Sequence, residues 1–393
     1  MKILVQKFGG TSVSTPDRRD KVIKKIINAK EKGYAPVVVV SAMGRFGDYY
    51  STDSLLSLLK EDFKSNNKLA KDLLMCCGEI ISSVVLCNDL SEYKIDSVPL
   101  TGYQAGILTS SNYNNASIKK VDISNIITIL NENKIPVISG FQGMDENGFF
   151  TTLGRGGSDV TAAVLGGALK ADGVEIYTDV DGIMTADPKI VEDASLINEI
   201  NYNEVFQFAE EGAKVIHPRA VDIAMRYNVP LIIKNTLNDC RGTVINNSFE
   251  QSNKIISGIT HMPDRIQVVS EDKNINIIKL MADNIISIDL INVFPNRKIF
   301  TISKNDLVKI KLLSEEYNLD LTYTENLSKI AIIGSRMRGI PGVMSKILAA
   351  LEEEGIDVLQ TADSHTTIWC LVKKENTNKA IKTLHKEFDL GSI

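Results

Sequence analysis

The 393-residue chain is 44% hydrophobic and 24% charged, with a formal net charge of −5, an ordinary globular composition with enough length for two or three domains. The acidic balance argues against a nucleic acid or an anionic membrane as main partner, and no apolar stretch approaches the roughly 18 residues that span a bilayer. Met1-Lys2-Ile3 runs straight into a strand instead of a signal peptide, and five cysteines, Cys76, Cys77, Cys87, Cys240 and Cys370, fit a reduced cytoplasmic setting.

Ile3-Leu4-Val5 begins a strand that ends in Lys7-Phe8-Gly9-Gly10-Thr11-Ser12. Bare amides, a cation and two hydroxyls are equipment for holding a phosphate. The lysine precedes the glycines, so this is not the Gly-x4-Gly-Lys-Ser/Thr loop; a plain tight connection is the competing reading. Val22, Ile23, Ile26 and Ile27 predict a helix closed by Gly33, and Pro36 to Val40 is apolar on both faces, like a central parallel strand. Helices over about 67–90, 122–134 and 159–171 then alternate with strands over about 97–100, 135–138, 174–177 and 230–233. That order predicts an open, mainly parallel sheet with helices on both faces.

Beyond about residue 245, strand-helix-strand-strand-helix order occurs twice, over about 264–325 and 328–388. In the second copy a strand over 330–334 leads through Gly339-Ile340-Pro341-Gly342-Val343 into a helix carrying Met344, Ile347, Leu348 and Leu351. Strands over 356–359 and 367–372 follow, then a helix with Ala380, Leu384 and Phe388. Two ferredoxin-like modules result. The polar run over 246–253 reads as a linker, giving domains at 1–245, 246–327 and 328–393.

Each polar cluster of the first half follows a strand, where ligands of open parallel sheets sit. Ser41-Ala42-Met43-Gly44 closes the second strand. Thr52 opens a helix, either as a cap or as a site for an anionic substrate. In Thr152-Leu153-Gly154-Arg155-Gly156-Gly157-Ser158-Asp159, an arginine among glycines at a helix start is suited to a carboxylate, with a solvated hairpin as the alternative. Tyr177-Thr178-Asp179 runs into two acidic turns ending at Asp187-Pro188, which turn chemistry alone can explain. Lys214 stands before Val215-Ile216 and a proline-started helix, either at a phosphate or at the surface. Glu79 lies within an apolar helical run, so its carboxylate needs a partner: a substrate ammonium or a structural salt bridge.

Taken together and in order, KFGGTS at 7–12, SAMG at 41–44, GE at 78–79, SGFQG at 139–143, TLGRGGSD at 152–159, YTDVDGI at 177–183, TADP at 185–188 and KVIHPRA at 214–220 resemble the motifs of aspartate kinases. The C-terminal modules resemble the paired ACT domains of that family, and the chain has no room for a fused homoserine dehydrogenase. The resemblance implies the amino-acid kinase fold and transfer of the γ-phosphoryl group of ATP to the side-chain carboxylate of L-aspartate, the first step toward lysine, threonine, methionine and diaminopimelate. It implies Lys7, Asp159 and Lys214 as catalytic residues, and Ser41, Thr52, Glu79, Arg155, Gly156 and Ser158 as the aspartate site. For ATP it implies Lys7, Phe8, Gly9, Gly10, Thr178, Asp179, Met184, Asp187, Lys189, Lys214 and Val215, although Met184 and Lys189 stand where tyrosine and arginine are frequent. Mg2+ is expected with ATP, with no protein ligand named. Met337, Ile340, Pro341, Gly342 and Val343 would bind a feedback effector, namely lysine, threonine or meso-diaminopimelate, in an oligomer, a dimer through the ACT modules. A non-catalytic amino-acid sensor is the rival function, against which the two lysines count.

Overall fold

The computed structural model describes residues 1–213, 215–247, 254–271, 276–337 and 339–391. Lys214, most of the proposed linker and the 272–275 stretch of the first module lie outside the described residues. The chain forms two compact units: one of residues 1–183, 196–209 and 214–249, the other of 184–195, 210–213 and 250–393.

The first unit contributes twelve described strands in chain order: β1 (Ile3–Phe8), β2 (Ala35–Val40), β3 (Ser97–Leu100), β4 (Ile107–Thr109), β5 (Ile118–Val121), β6 (Ile135–Ser139), β7 (Gln142–Met144), β8 (Phe150–Thr152), β9 (Gly173–Thr178), β10 (Glu199–Asn201), β11 (Leu231–Asn235) and β12 (Thr243–Asn246). Eight of them form a sheet in the order β10-β12-β11-β9-β1-β2-β6-β3, parallel except where β12 pairs with β11. Val37 to Val40 are fully buried, as an inner strand covered on both faces requires. A second sheet, β5-β4-β7-β8, is built from three- and four-residue strands. Such short segments show no periodicity, and the sequence gives no sign of this sheet.

The 25-residue helix Lys68–Glu92 is long and apolar enough to cross a membrane by length and composition, contrary to the expectation that no stretch approaches this. It buries Met75, Cys76, Leu86 and Leu90 within the unit, together with the carboxylates of Asp72 and Glu79. Asp72 accepts from the Asn114 and Thr152 amides and the Thr152 hydroxyl, tying the helix to the strand that enters the Arg155 loop. Burial raises the Asp72 acid, and these hydrogen bonds oppose it.

The second unit has one six-stranded antiparallel sheet, from β13 (Gly258–Ser270), β14 (Ile288–Val293), β15 (Lys298–Ser303), β16 (Leu321–Ile333), β17 (Gln360–Asp363) and β18 (Thr367–Lys373), in the order β14-β15-β13-β16-β18-β17. Its two long strands each serve two cores. Ile266 and Val268 pack with Phe300 and Ile310, whereas Ile259 packs with Ile330, Ile347 and Leu384. A boundary at 327/328 therefore falls inside β16, and residues 258–262 pair with 329–333 of the second module. The expected strand over 356–359 is irregular chain; Ile356 is a buried core residue there and the strand starts at Gln360. Two segments from the first 245 residues, 184–195 and 210–213, belong to this unit.

Candidate active site

Lys7 is the next-to-last residue of β1, flanked by β2 and β9. Its Nζ lies 2.7 Å from Oδ1 of Asp159, with both side chains largely buried. Asp159 sits in the first turn of the helix Gly157–Ala168, where the helix dipole favours an anion. Gly156 caps that helix at φ +69°, and a Cβ there would collide with the His217 ring, so two separate constraints select glycine. At Gly10 the reason is close approach. A Cβ would stand 2.5 Å from the Ala42 carbonyl oxygen, and the Gly44 amide donates to the Gly10 carbonyl at 3.0 Å.

These loops and the Lys68–Glu92 helix enclose a cavity of about 270 Å³. From the expected set it is lined by Lys7, Gly10, Ser41, Thr52, Glu79, Gly156, Ser158 and Asp159. Glu79 is 2% exposed; its Oε1 accepts from the Ala42 amide at 3.1 Å, and its Oε2 has no hydrogen-bond partner among the described residues. Burial pushes its acid up to about 8 against the pull of the Ala42 amide. A buried carboxyl oxygen without a partner, in a cavity wall, is a position for a cationic ligand group.

Other expected residues lie elsewhere. Arg155 is exposed and outside the cavity lining. The Phe8 side chain is fully buried and stacked on Tyr177 at 4.8 Å, so the core takes it up and only its backbone can meet a nucleotide. Thr178 ends β9 and Asp179 follows it, the two joined by a 3.2 Å hydrogen bond. Met184, Asp187 and Lys189 fall in the second unit, with Asp187 and Lys189 exposed. Val215 is half-buried in the first unit. In the second unit Gly342, at φ +91°, caps the helix Val343–Glu353. Met337 and Val343 there are buried in the core and Ile340 is 40% exposed. No group of three or more His, Cys, Asp or Glu side chains among the described residues could hold a metal ion.

Ala42 and Phe141 also line the cavity and stand outside the site residues that the resemblance implies. Phe141 adopts φ +70°, unfavourable for a bulky residue. It is held there by its amide donating to Thr161 Oγ1 at 3.1 Å and by the Leu153 amide donating to its carbonyl at 2.9 Å. Only the flanking glycines of SGFQG hint at this turn.

A site of this kind, with a lysine and glycine amides at the carboxyl ends of parallel strands, defines a phosphoryl-transfer protein of the amino acid kinase type. A sequence profile of the Amino acid kinase family matches residues 2–235, and an ACT domain profile matches 322–386. Aspartokinase 1 of Bacillus subtilis is 41% identical, with all of both chains aligned. The fold is shared with the crystal structure of E. coli aspartokinase III in complex with aspartate and ADP, at TM-score 0.80 and 23% identity, covering 99% of this chain and 100% of that one. The complex of the same E. coli enzyme with lysine and aspartate matches at TM-score 0.76 and 24% identity, covering 98% and 99%. The chain belongs to the aspartokinases of the amino acid kinase family.

Proposed function

We propose that the protein transfers the γ-phosphoryl group of ATP to the side-chain carboxylate of L-aspartate, giving 4-phospho-L-aspartate and ADP. One observation carries the reading: a single strand-end cavity joins the Lys7–Asp159 pair to the partnerless Glu79 oxygen. Glu79 receives the ammonium group of aspartate. Ser41, Thr52, Ser158 and the Gly156 amide surround its carboxylates, and Arg155 turns inward to clamp one of them.

The acceptor carboxylate, with an ordinary pKa near 4, is ionised at neutral pH and needs no general base. It needs alignment and screening, because two anions must meet as charge builds on the transferring group. Lys7, oriented by Asp159, supplies that charge. Lys214, Gly9, Gly10, Thr178, Asp179, the Val215 backbone and the 184–189 loop hold the nucleotide. Magnesium enters as the counter-ion of ATP; the described residues form no cluster of their own for it, and no step here runs through it.

The second unit is proposed to make the enzyme sensitive to an end product. The lysine complex of the E. coli enzyme supports that idea, with lysine, threonine and meso-diaminopimelate as candidate effectors and a dimer through the ACT modules as the assembly. The reaction would then open the cytoplasmic route to lysine, threonine, methionine and diaminopimelate. The test is trapping with hydroxylamine: ATP and aspartate together yield a hydroxamate, which at least one of the three candidate effectors should suppress. A signal with glutamate and none with aspartate would replace this reading.

Glu79 adds a pH dependence. In the free protein, with an acid near 8, it is mostly protonated at neutral pH, and pairing with an ammonium pulls that acid down, so aspartate binding releases a proton. Aspartate affinity should therefore rise with pH, by up to about tenfold per unit, and level off above about 8. Glu79→Gln should flatten the profile. A wild-type KM for aspartate that is constant between about pH 6 and 9 would remove the ammonium from Glu79.

A further inference from the structure

A second cavity, of about 300 Å³, shares Gly44 with the first and is lined also by Thr11, Ser14, Arg18, Arg45, Asp48 and Asp179. Arg45 directly follows the Ser41 to Gly44 loop. Its amide donates to Asp48 Oδ2 at 2.8 Å and its carbonyl accepts from the Asp48 amide at 2.9 Å, a closed turn that fixes where its side chain starts. From there Nη2 donates to Asp179 Oδ2 at 2.7 Å. Asp179 follows β9, and Arg45 lies in the loop after β2. Because β1 lies between those two strands, the pair bridges the strand end that delivers Lys7, Gly9 and Gly10.

The two cations differ in kind. Lys7 is held in a largely buried pair, its side chain 12% exposed, whereas the Arg45 and Asp179 side chains are 72% and 43% exposed. An exposed pair contributes little, so it exchanges readily. A polyphosphate offers the guanidinium more charge and bidentate oxygens.

We propose that Arg45 is a polyphosphate-binding residue of the nucleotide site, and that the Asp179 carboxylate holds its guanidinium until a phosphate takes the carboxylate's place. The inference rests on the aspartate-kinase reading and adds a residue that the family motifs do not carry. The rival is a surface clamp that merely ties two loops together.

The discriminating experiment uses the full chain with Arg45→Ala and Arg45→Lys, measuring KM for MgATP and for aspartate separately, and equilibrium binding of ADP and of adenosine. Arg45→Ala should raise KM for MgATP and weaken ADP by about tenfold or more, leave adenosine and KM for aspartate within about twofold, and be partly rescued by Arg45→Lys. Adenosine weakened as much as ADP, or both substrates affected alike, means a clamp and overturns the proposal; so does an ADP affinity equal to wild type. A wild-type protein that gives no hydroxamate and binds no ADP overturns the functional reading and this inference together, an outcome distinct from a failure confined to the Arg45 variants.

Discussion

Lys7→Ala should lower turnover by about 100-fold or more while aspartate binding changes little, because the lysine acts on charge that develops only during transfer. Lys7 is the only cation lining the cavity it shares with Glu79 among the described residues, and it stands 2.7 Å from Asp159. Removing it takes away the positive charge and leaves the Asp159 carboxylate facing two incoming anions. Lys7→Arg should not restore the rate, since a planar fork cannot occupy the place of a compact ammonium group beside Gly9. Asp159→Asn keeps the ammonium but loosens its orientation, so its loss should be smaller than that of Lys7→Ala. The measurements are kcat from hydroxamate formation and aspartate affinity by calorimetry. A raised KM with unchanged kcat would make Lys7 a ground-state binding residue instead.

The cavity of Lys7, Glu79 and Asp159 is legible in the sequence because its signals are local. The apolar strand start Ile3-Leu4-Val5, a lysine and a glycine turn lie within ten residues of one another, and Glu79 stands out because an apolar helical run cannot bury a carboxylate unaided. The remainder depends on distant contacts. Phe141 is held in a left-handed conformation by Thr161 and Leu153, and nothing in its own neighbourhood demands that. The sharing of one sheet by the two modules is hidden because a 13-residue strand reads the same whether it serves one core or two. Residues 184–195 follow β9 closely enough to read as part of the nucleotide half. Ala186 and Val191 nevertheless pack into the core of the second unit, and the Ile259 amide donates to the Thr185 carbonyl there at 2.7 Å. Composition does not reveal which unit claims such a segment; long-range packing decides it.

In the second unit, Lys329→Met should reduce the free energy of unfolding by about 3–5 kcal/mol, the usual effect of removing one partner from a buried ion cluster. Lys329 is 2% exposed. Its Nζ lies 2.7 Å from Glu211 Oε2, also contacts Asp289 Oδ2, and sits 5.8 Å from the centre of the Trp369 ring. Methionine retains most of the apolar stem, so the loss comes from two carboxylates stranded without their cation. Asp289 shows the balance: burial alone would raise its acid, but the Lys329 hydrogen bond and charge, with the Leu290 amide, bring it below the usual value. A carboxylate with a depressed folded-state pKa contributes stability above its unfolded value near 4, and that contribution is lost as pH falls through the lower folded value. Lys329→Met should therefore flatten the acid limb of the stability profile, with its deficit largest above about pH 4 and shrinking as the carboxylates protonate. Trp369 is the only tryptophan in the chain, so its fluorescence during urea unfolding follows this unit alone. Adding Glu211→Gln and Asp289→Asn to Lys329→Met should recover much of the loss by removing the stranded charges; an equal loss in the triple variant would assign the effect to packing.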